Sequence, residues 1–381
     1  MRTTEPTAPF DLAESGHTGT EILGQPGLWV ETVRTVADRR PALDALTQWW
    51  TGASEARVIL TGAGSSAFVG RVAAPLLARI TGRRFDAVPT TDLVAQPSAV
   101  LAEDVPTLVV SFARSGNSPE SVAATDVADR LLTHVRHLVV TCDAGGALAD
   151  HHAGRAGSVV LTLPAGCNDK GFAMTASYTS MLLAGLQAFL GDEGLPTEAL
   201  QRAAEVVLAD ADGVLTRCAA TAYDRVVYLG SGSLAGAAQE SALKLLELTA
   251  GRVNTYHDSP LGFRHGPKSV VDAATLVVVL LSEEDYTRQY DLDLLAELAT
   301  DGVGDLVALS ARPLPTGLEV PTVVLPSLAG LDGGFLAVPY VVFAQALAVA
   351  TSLRLGITPD NPSPSGMVNR VVQGVTIHPL A

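Results

Sequence analysis

Cysteine is scarce in this 381-residue sequence: Cys142, Cys167 and Cys218 lie far apart, so there is neither a CxxC redox pair nor a zinc spacing. A reducing compartment is expected, with no metal and no redox cofactor. Charged residues are few as well, at 17%, and they are lopsided: 40 acidic against 25 basic gives a net −15. Such a surface repels nucleic acid and anionic lipid, so neither is an expected partner, and an anionic small molecule would need a local cationic patch. No basic start followed by an apolar stretch opens the chain, which makes a cytoplasmic location the expectation. Formal charge is also missing from Phe335 to Ser352, a stretch approaching the length of a membrane span. Pro339 and Gln345 interrupt it and flanking anchors are absent, so it reads as a helix buried between two domains or at a subunit interface.

Apolar residues are abundant at 48%, and the length exceeds what one core usually organises, which favours two domains. An internal repeat supports this. Val58-Ile59-Leu60-Thr61 leads into Gly62-Ala63-Gly64-Ser65-Ser66, and Val226-Val227-Tyr228-Leu229 leads into Gly230-Ser231-Gly232-Ser233, an offset of 168 (230 − 62). Leu108-Val109-Val110 and Leu276-Val277-Val278 keep that offset, and so do Leu138-Val139-Val140 and Leu306-Val307-Ala308. A fourth pair, Val159-Val160-Leu161 and Val323-Val324-Leu325, arrives slightly out of register.

Short Val/Leu/Ile runs separated by about 20 to 45 residues of helical spacing are the pattern of buried parallel strands with crossover helices. The expected fold is therefore α/β: two tandem doubly wound parallel sheets behind an N-terminal helical arm. The arm spans Thr20 to Trp50 with Pro26 at a helix start, after a polar tail over residues 1–19. The expected boundaries are 1–50 for tail and arm, 51–200 for the first domain and 201–381 for the second.

Ligands of such sheets bind at the carboxyl ends of the strands, which makes the turns there the candidate sites. The first turn offers Gly64, Ser65 and Ser66, unhindered amides and hydroxyls at a helix start, as a phosphate group requires. Alone it is equally a tight packing turn. The second runs from Ser111 through Arg114, Ser115, Asn117 and Ser118 to Pro119, which suits a first helical turn. A capped helix needs one hydroxyl, not four, so a dianion is the better explanation. A dinucleotide site fits poorly, because Ala67 stands where GxGxxG requires its last glycine and no acid follows at the right distance.

In the second half, Glu240, Lys244 and Glu247 fall on one face of an amphipathic helix that follows the Gly230 turn. A solvated ion-pair stripe would look the same, but this helix starts at the ligand-facing edge of a sheet. His265 follows in the loop Gly262-Phe263-Arg264-His265-Gly266-Pro267-Lys268, where an imidazole could serve as general acid or base. The other histidines show no metal-ligand spacing, and the adjacent His151-His152 read as surface residues.

These residues together resemble the tandem sugar isomerase (SIS) domain proteins, and within them the galactosamine-6-phosphate deaminase/isomerase and tagatose-6-phosphate ketose/aldose isomerase group. The resemblance spans nearly the whole chain and includes Glu21-Ile22, Gln25-Pro26, both serine-rich turns, Glu240 to Glu247 and Arg264-His265-Gly266-Pro267. The most group-specific stretch is Pro359-Asp360-Asn361-Pro362 through Asn369-Arg370-Val371-Val372-Gln373-Gly374-Val375. Similarity to the isomerase domain of glucosamine-6-phosphate synthase, a more distant relative, implies Ser66, Arg114, Ser115 and Ser118 as phosphate ligands. It also implies Glu247 as the group that moves a proton between C1 and C2, Lys244 as an active-site lysine, and His265 as a ring-opening group donated by the other subunit of a dimer or dimer of dimers. Where that relative carries a sugar-contacting lysine, this sequence has Asn369-Arg370, which makes Arg370 a candidate contact. The resemblance implies an amino-sugar-6-phosphate deaminase/isomerase; a plain ketose/aldose phosphate isomerase, a glucosamine-6-phosphate deaminase and a non-catalytic sugar-phosphate sensor are the alternatives.

Overall fold

The computed structural model describes residues 11–372 and 374–380. The chain forms two compact units, each built on one five-stranded parallel sheet. One unit comprises 27–169, 176–195 and the described residues from Ser365 onward; the other comprises the described residues through Pro26, then 170–175 and 196–364.

The first sheet contains β1 (Arg57–Thr61), β2 (Arg84–Ala87), β3 (Thr107–Ala113), β4 (Val135–Thr141) and β5 (Ser158–Thr162) in the order β2-β1-β3-β4-β5. The second contains β6 (Arg225–Gly230), β7 (Asn254–Asp258), β8 (Thr275–Leu280), β9 (Asp305–Ser310) and β10 (Thr322–Val324) in the order β10-β9-β8-β6-β7. These are the same doubly wound topology. The central strands β1, β3 and β8 are buried along their whole length, as parallel strands covered on both faces must be. Sequence spacing predicts four strands per sheet and misses β2 and β7. Both lie beside β1 or β6 at a sheet edge, and RFDA and NTYHD carry too few apolar residues to read as strands.

The ladders reproduce the repeat. Arg57 pairs with Thr107 as Arg225 pairs with Thr275, and in both cases the arginine, buried in the first sheet and half-buried in the second, donates to the threonine hydroxyl at 3.1 Å. The third match needs correction by one residue: Val110 pairs with Leu138 but Val278 pairs with Val307, so the offset there is 307 − 138 = 169. A single insertion in the preceding crossover accounts for the slip.

The N-terminal arm is two helices, His17–Ala37 and Arg40–Thr51. Pro26 lies inside the first of them rather than at a start. Proline cannot donate to the carbonyl four residues back, and here Gln25 Nε2 supplies the missing donor to Ile22 O at 3.2 Å while also reaching Gln345 Oε1 at 2.7 Å. Of the expected polar tail, residues 1–10 lie outside the described residues. Residues 11–19 are structured instead, because the Asp360 carboxylate accepts from His17 N, Thr18 N and Thr18 Oγ1 at 2.7–2.8 Å.

The uncharged stretch forms the helix Gly333–Arg354. By length and composition it could cross a membrane, but 94% of its most apolar window is buried. It packs on the helices Ser233–Leu248, Thr197–Ala209 and Val214–Ala220 of its own unit.

His151 and His152 do not both lie on the surface. The short helix Ala147–His152 turns His152 under the first sheet's edge, where it is 1% exposed, its ring is 4.7 Å from that of His137 and its Nδ1 is 3.0 Å from Ser158 Oγ. Burial, with His137, His151 and Arg155 adding repulsion against the weaker pull of Asp129, lowers the His152 pKa to about 3. Between pH 6.5 and 3 the unfolded chain therefore takes up a proton that the folded chain refuses, so stability falls on acidification through that window. Asp129, whose own pKa is lowered overall by hydrogen bonds from His137 and Arg155 despite its burial, adds a loss of the same sign at lower pH. From pH 7 to 5 the His152 contribution is up to about 2 kcal/mol. Urea midpoints at the two pH values should accordingly fall less for His152→Gln than for the wild type.

Candidate active site

At the end of β1 the chain turns through Gly62 to Gly64 into the helix Ser65–Thr81. A Cβ on Gly62 would lie 2.6 Å from the Ser66 backbone carbon, and Gly64 has φ +55°, so both positions require glycine. Gly230 and Gly232 repeat both constraints in the second sheet. Ser65 and Ser66 are buried at the helix start. Beyond β3, Arg114 is buried and donates through Nη2 to the Arg370 carbonyl at 2.7 Å. Arg370 Nη2 in turn reaches the Asp169 carbonyl and lies 3.5 Å from Asn168 Oδ1.

The rest of this turn is braced from within. Ser115 Oγ accepts from Asn117 N at 3.3 Å, Asn117 Oδ1 accepts from Ala147 N at 3.0 Å, and Ser118 Oγ lies 2.6 Å from Ser121 Oγ. Pro119 opens the helix Pro119–Leu131 as its spacing predicts. Ser111 sits on β3 opposite Thr61, and the buried hydroxyls of Ser111, Thr61 and Thr90 have no hydrogen-bond partner among the described residues. Buried polar groups are rarely left so, and three together at strand ends suit a polar ligand. Sequence reading missed Thr61 and Thr90; the place of Thr61 at the end of the apolar run of β1 was an available signal, whereas Thr90 follows a strand that the sequence did not reveal.

It also missed Asp169. Its buried carboxylate accepts from Ala176 N and Ser177 N at 3.0 Å each and from Ser177 Oγ at 2.5 Å, capping the helix Ala176–Leu190, while its carbonyl anchors Arg370. One unit thus gathers Gly64, Ser65, Ser66, Ser111, Arg114, Ser115, Asn117, Ser118 and Arg370, two of them cations in an otherwise acidic chain. Gln373, from the same C-terminal motif as Arg370, lies outside the described residues.

In the other unit the helix Ser233–Leu248 carries Lys244 into complete burial. Its Nζ is 2.7 Å from Glu247 Oε2 and 3.4 Å from Glu240 Oε1. Glu240 is wholly buried and Glu247 partly open, so the polar stripe is no solvated face. Burial pushes the Lys244 pKa down, but the two carboxylates more than reverse this and raise it, which keeps an ammonium in the interior. His265 is exposed in the turn between Pro260–Phe263 and Pro267–Val270. Its neighbours face elsewhere: Arg264 Nη2 pairs with Glu297 Oε2 at 2.8 Å, and Lys268 pairs with Glu297 and with Asp301 Oδ2 at 2.5 Å. Among the described residues no hydrogen bond or ion pair joins His265 to Lys244 or Glu247.

One carboxylate cluster has metal-like spacing that the sequence did not suggest. Ligand atoms of Asp126, Asp129 and His151 lie within 4.8 Å of one another. Asp129 is already held by Arg155 at 2.6 Å and His137 at 2.9 Å, and Asp126 by His151 at 3.0 Å, so the cluster is accounted for by contacts among its own side chains and neighbours.

Paired glycine turns, tandem parallel sheets and strand-end hydroxyls agree with a match to the family model of the SIS domain over residues 53–191 and 221–314. The chain belongs to the SIS domain family. A Streptomyces coelicolor protein with the provisional name D-galactosamine-6-phosphate deaminase AgaS is 51% identical to this SIS protein over the full length of both. An Escherichia coli protein named D-galactosamine-6-phosphate deaminase AgaS is 44% identical, with 97% of this chain and 98% of that one covered. Among solved structures, tagatose-6-phosphate ketose/aldose isomerase from Escherichia coli superposes with a TM-score of 0.87 and 41% identity, covering 98% of this chain and 99% of the other.

Proposed function

We propose that this SIS protein is an amino-sugar-6-phosphate deaminase/isomerase that converts D-galactosamine 6-phosphate and water into tagatose 6-phosphate and ammonia, in the cytoplasm and without metal or redox cofactor. The observation that carries the reading is the buried Lys244 ammonium 2.7 Å from a Glu247 carboxylate that remains partly open. That is an oriented acid/base pair, and nothing in a purely structural ion pair requires the open side. The full-length relatives supply the substrate name.

In the proposed reaction the hydroxyls of Ser66, Ser115 and Ser118, with Arg114 and Arg370, take the phosphate, whose binding energy orients the sugar. His265, given by a partner copy in a homodimer or dimer of dimers, opens the ring. Glu247 removes the C2 proton, which leaves an enolamine, and returns a proton to C1. The resulting C2 ketimine adds water and expels ammonia, so one water is consumed for each ammonia released. Proton transfer of this kind contributes about 10²- to 10⁴-fold in rate.

The structure named tagatose-6-phosphate ketose/aldose isomerase favours a second reading, plain isomerisation with the same proton shuttle and no amine. Purified protein supplied separately with galactosamine, glucosamine and tagatose 6-phosphates and coupled to ammonia detection separates the two. Ammonia from the galactosamine ester is the expected result. Tagatose 6-phosphate turning into its aldose with no ammonia from either amino sugar would replace deamination by isomerisation, and saturable binding with no turnover would indicate a sensor.

A further inference from the structure

Two residues beyond Ala113, the last of β3, and beyond its counterpart Leu281, just after β8, the two sheets differ: Ser115 in the first, Glu283, 168 positions later, in the second. At the same offset Leu234 stands for Ser66, Ser282 for Arg114 and Tyr286 for Ser118, so the second turn has lost the hydroxyl and cation pattern of the first. Cations have nevertheless gathered there. The Glu283 side chain is 3% exposed; its Oε1 is 3.1 Å from Arg312 Nε and 3.4 Å from Arg288 Nη1, and its Oε2 accepts from Gly330 N at 3.2 Å. Arg288 is itself buried and is held in place through Ser282 O at 3.1 Å and Ser310 Oγ at 3.0 Å. Arg312 also meets the exposed Asp285 Oδ1 at 3.0 Å through Nη2, but its Nε, the Arg288 guanidinium and a backbone amide converge on the two oxygens of Glu283, an environment that a phosphate or sulfate also seeks.

We propose that the second sheet keeps an oxyanion site at the strand end where the first sheet carries its serine-rich turn, and that the chain fills this site with its own Glu283 carboxylate. The second unit is thereby closed to phosphate esters while the first stays open. This stands on the arginines and the repeat, and is independent of which sugar the protein processes.

Glu283→Ser restores the residue of the first turn and uncovers Arg288 and Arg312. Inorganic phosphate binding by equilibrium dialysis should rise by one equivalent per chain over wild type. The Tm of Glu283→Ser should also rise with added phosphate, against chloride of equal ionic strength, by about 3 °C or more beyond the wild-type response. Glu283→Gln, which keeps the shape and loses only the charge, should show a smaller excess response of the same sign. Adding Arg288→Ala to Glu283→Ser should remove the extra equivalent. Unchanged stoichiometry with a wild-type phosphate response in Glu283→Ser overturns the proposal, as does an extra equivalent that survives loss of Arg288. If Glu283→Ser fails to fold in chloride, recovery of folded protein in phosphate alone supports it, and a Glu283→Gln Tm that responds to phosphate as wild type does overturns it.

Discussion

Glu247→Gln should lower kcat for ammonia release by about 10²- to 10⁴-fold while KM for the sugar phosphate changes little. The amide matches the carboxylate in size and can still meet Lys244 Nζ, which is 2.7 Å from Glu247 Oε2, so packing around the helix Ser233–Leu248 should survive. What it cannot do is accept a proton from carbon. If the phosphate is gripped by groups on the first sheet, ground-state binding does not depend on Glu247, and the loss should fall on kcat alone. Steady-state kinetics with an ammonia readout, beside the unfolding midpoint of the same preparation, check this. Full-rate ammonia release by the variant would remove Glu247 from the mechanism.

Lys244→Met should be the costliest substitution for folding, at about 3–5 kcal/mol, because taking one partner from a buried ion group strands the charge of the other. The group that loses this cation is Glu240, whose side chain is 0% exposed and whose Oε1 lies 3.4 Å from Lys244 Nζ. The sign with pH follows. Burial disfavours a charged carboxylate and Lys244→Met removes a cation that offsets this, so the variant's deficit should grow as pH rises. Urea unfolding at pH 5.5 and pH 8 should show the larger loss at pH 8, and adding Glu240→Gln should recover part of it. A Lys244→Met midpoint within error of wild type would mean that the buried ammonium contributes nothing to stability.

Most of the architecture was readable because parallel strands buried on both faces must be nearly all apolar, and such runs stand out in a sequence with 17% charge. The 168-residue repeat needed no structure for the same reason. Edge strands escaped: Arg84-Phe85-Asp86-Ala87 is held by hydrogen bonds to β1 rather than by its own apolar content. Pro26 escaped because a rule about proline in helices is local, whereas the group that rescues the Ile22 carbonyl is a side chain that also crosses to Gln345, 320 positions on. His152 escaped because adjacency in sequence says nothing about which of two neighbours a short helix will bury.

The candidate site divides in the same way. Glycines and serines after strands announce a turn that can hold an anion, since only small residues leave backbone amides open there, and those positions were legible one by one. The Arg114–Arg370 link across 256 residues, the Asp169 cap and the unpaired hydroxyls of Thr61 and Thr90 were not, because each depends on which segments the fold brings side by side. The order of apolar and small residues along the chain determined two sheets, their strand-end turns and the polar face of one helix. Whether that face is solvated or buried, and whether a strand end is open to an anion or filled by Glu283, was decided only when the chain packed. The reason is that burial, and the electrostatic stakes that come with it, belong to the three-dimensional neighbourhood and not to the residue.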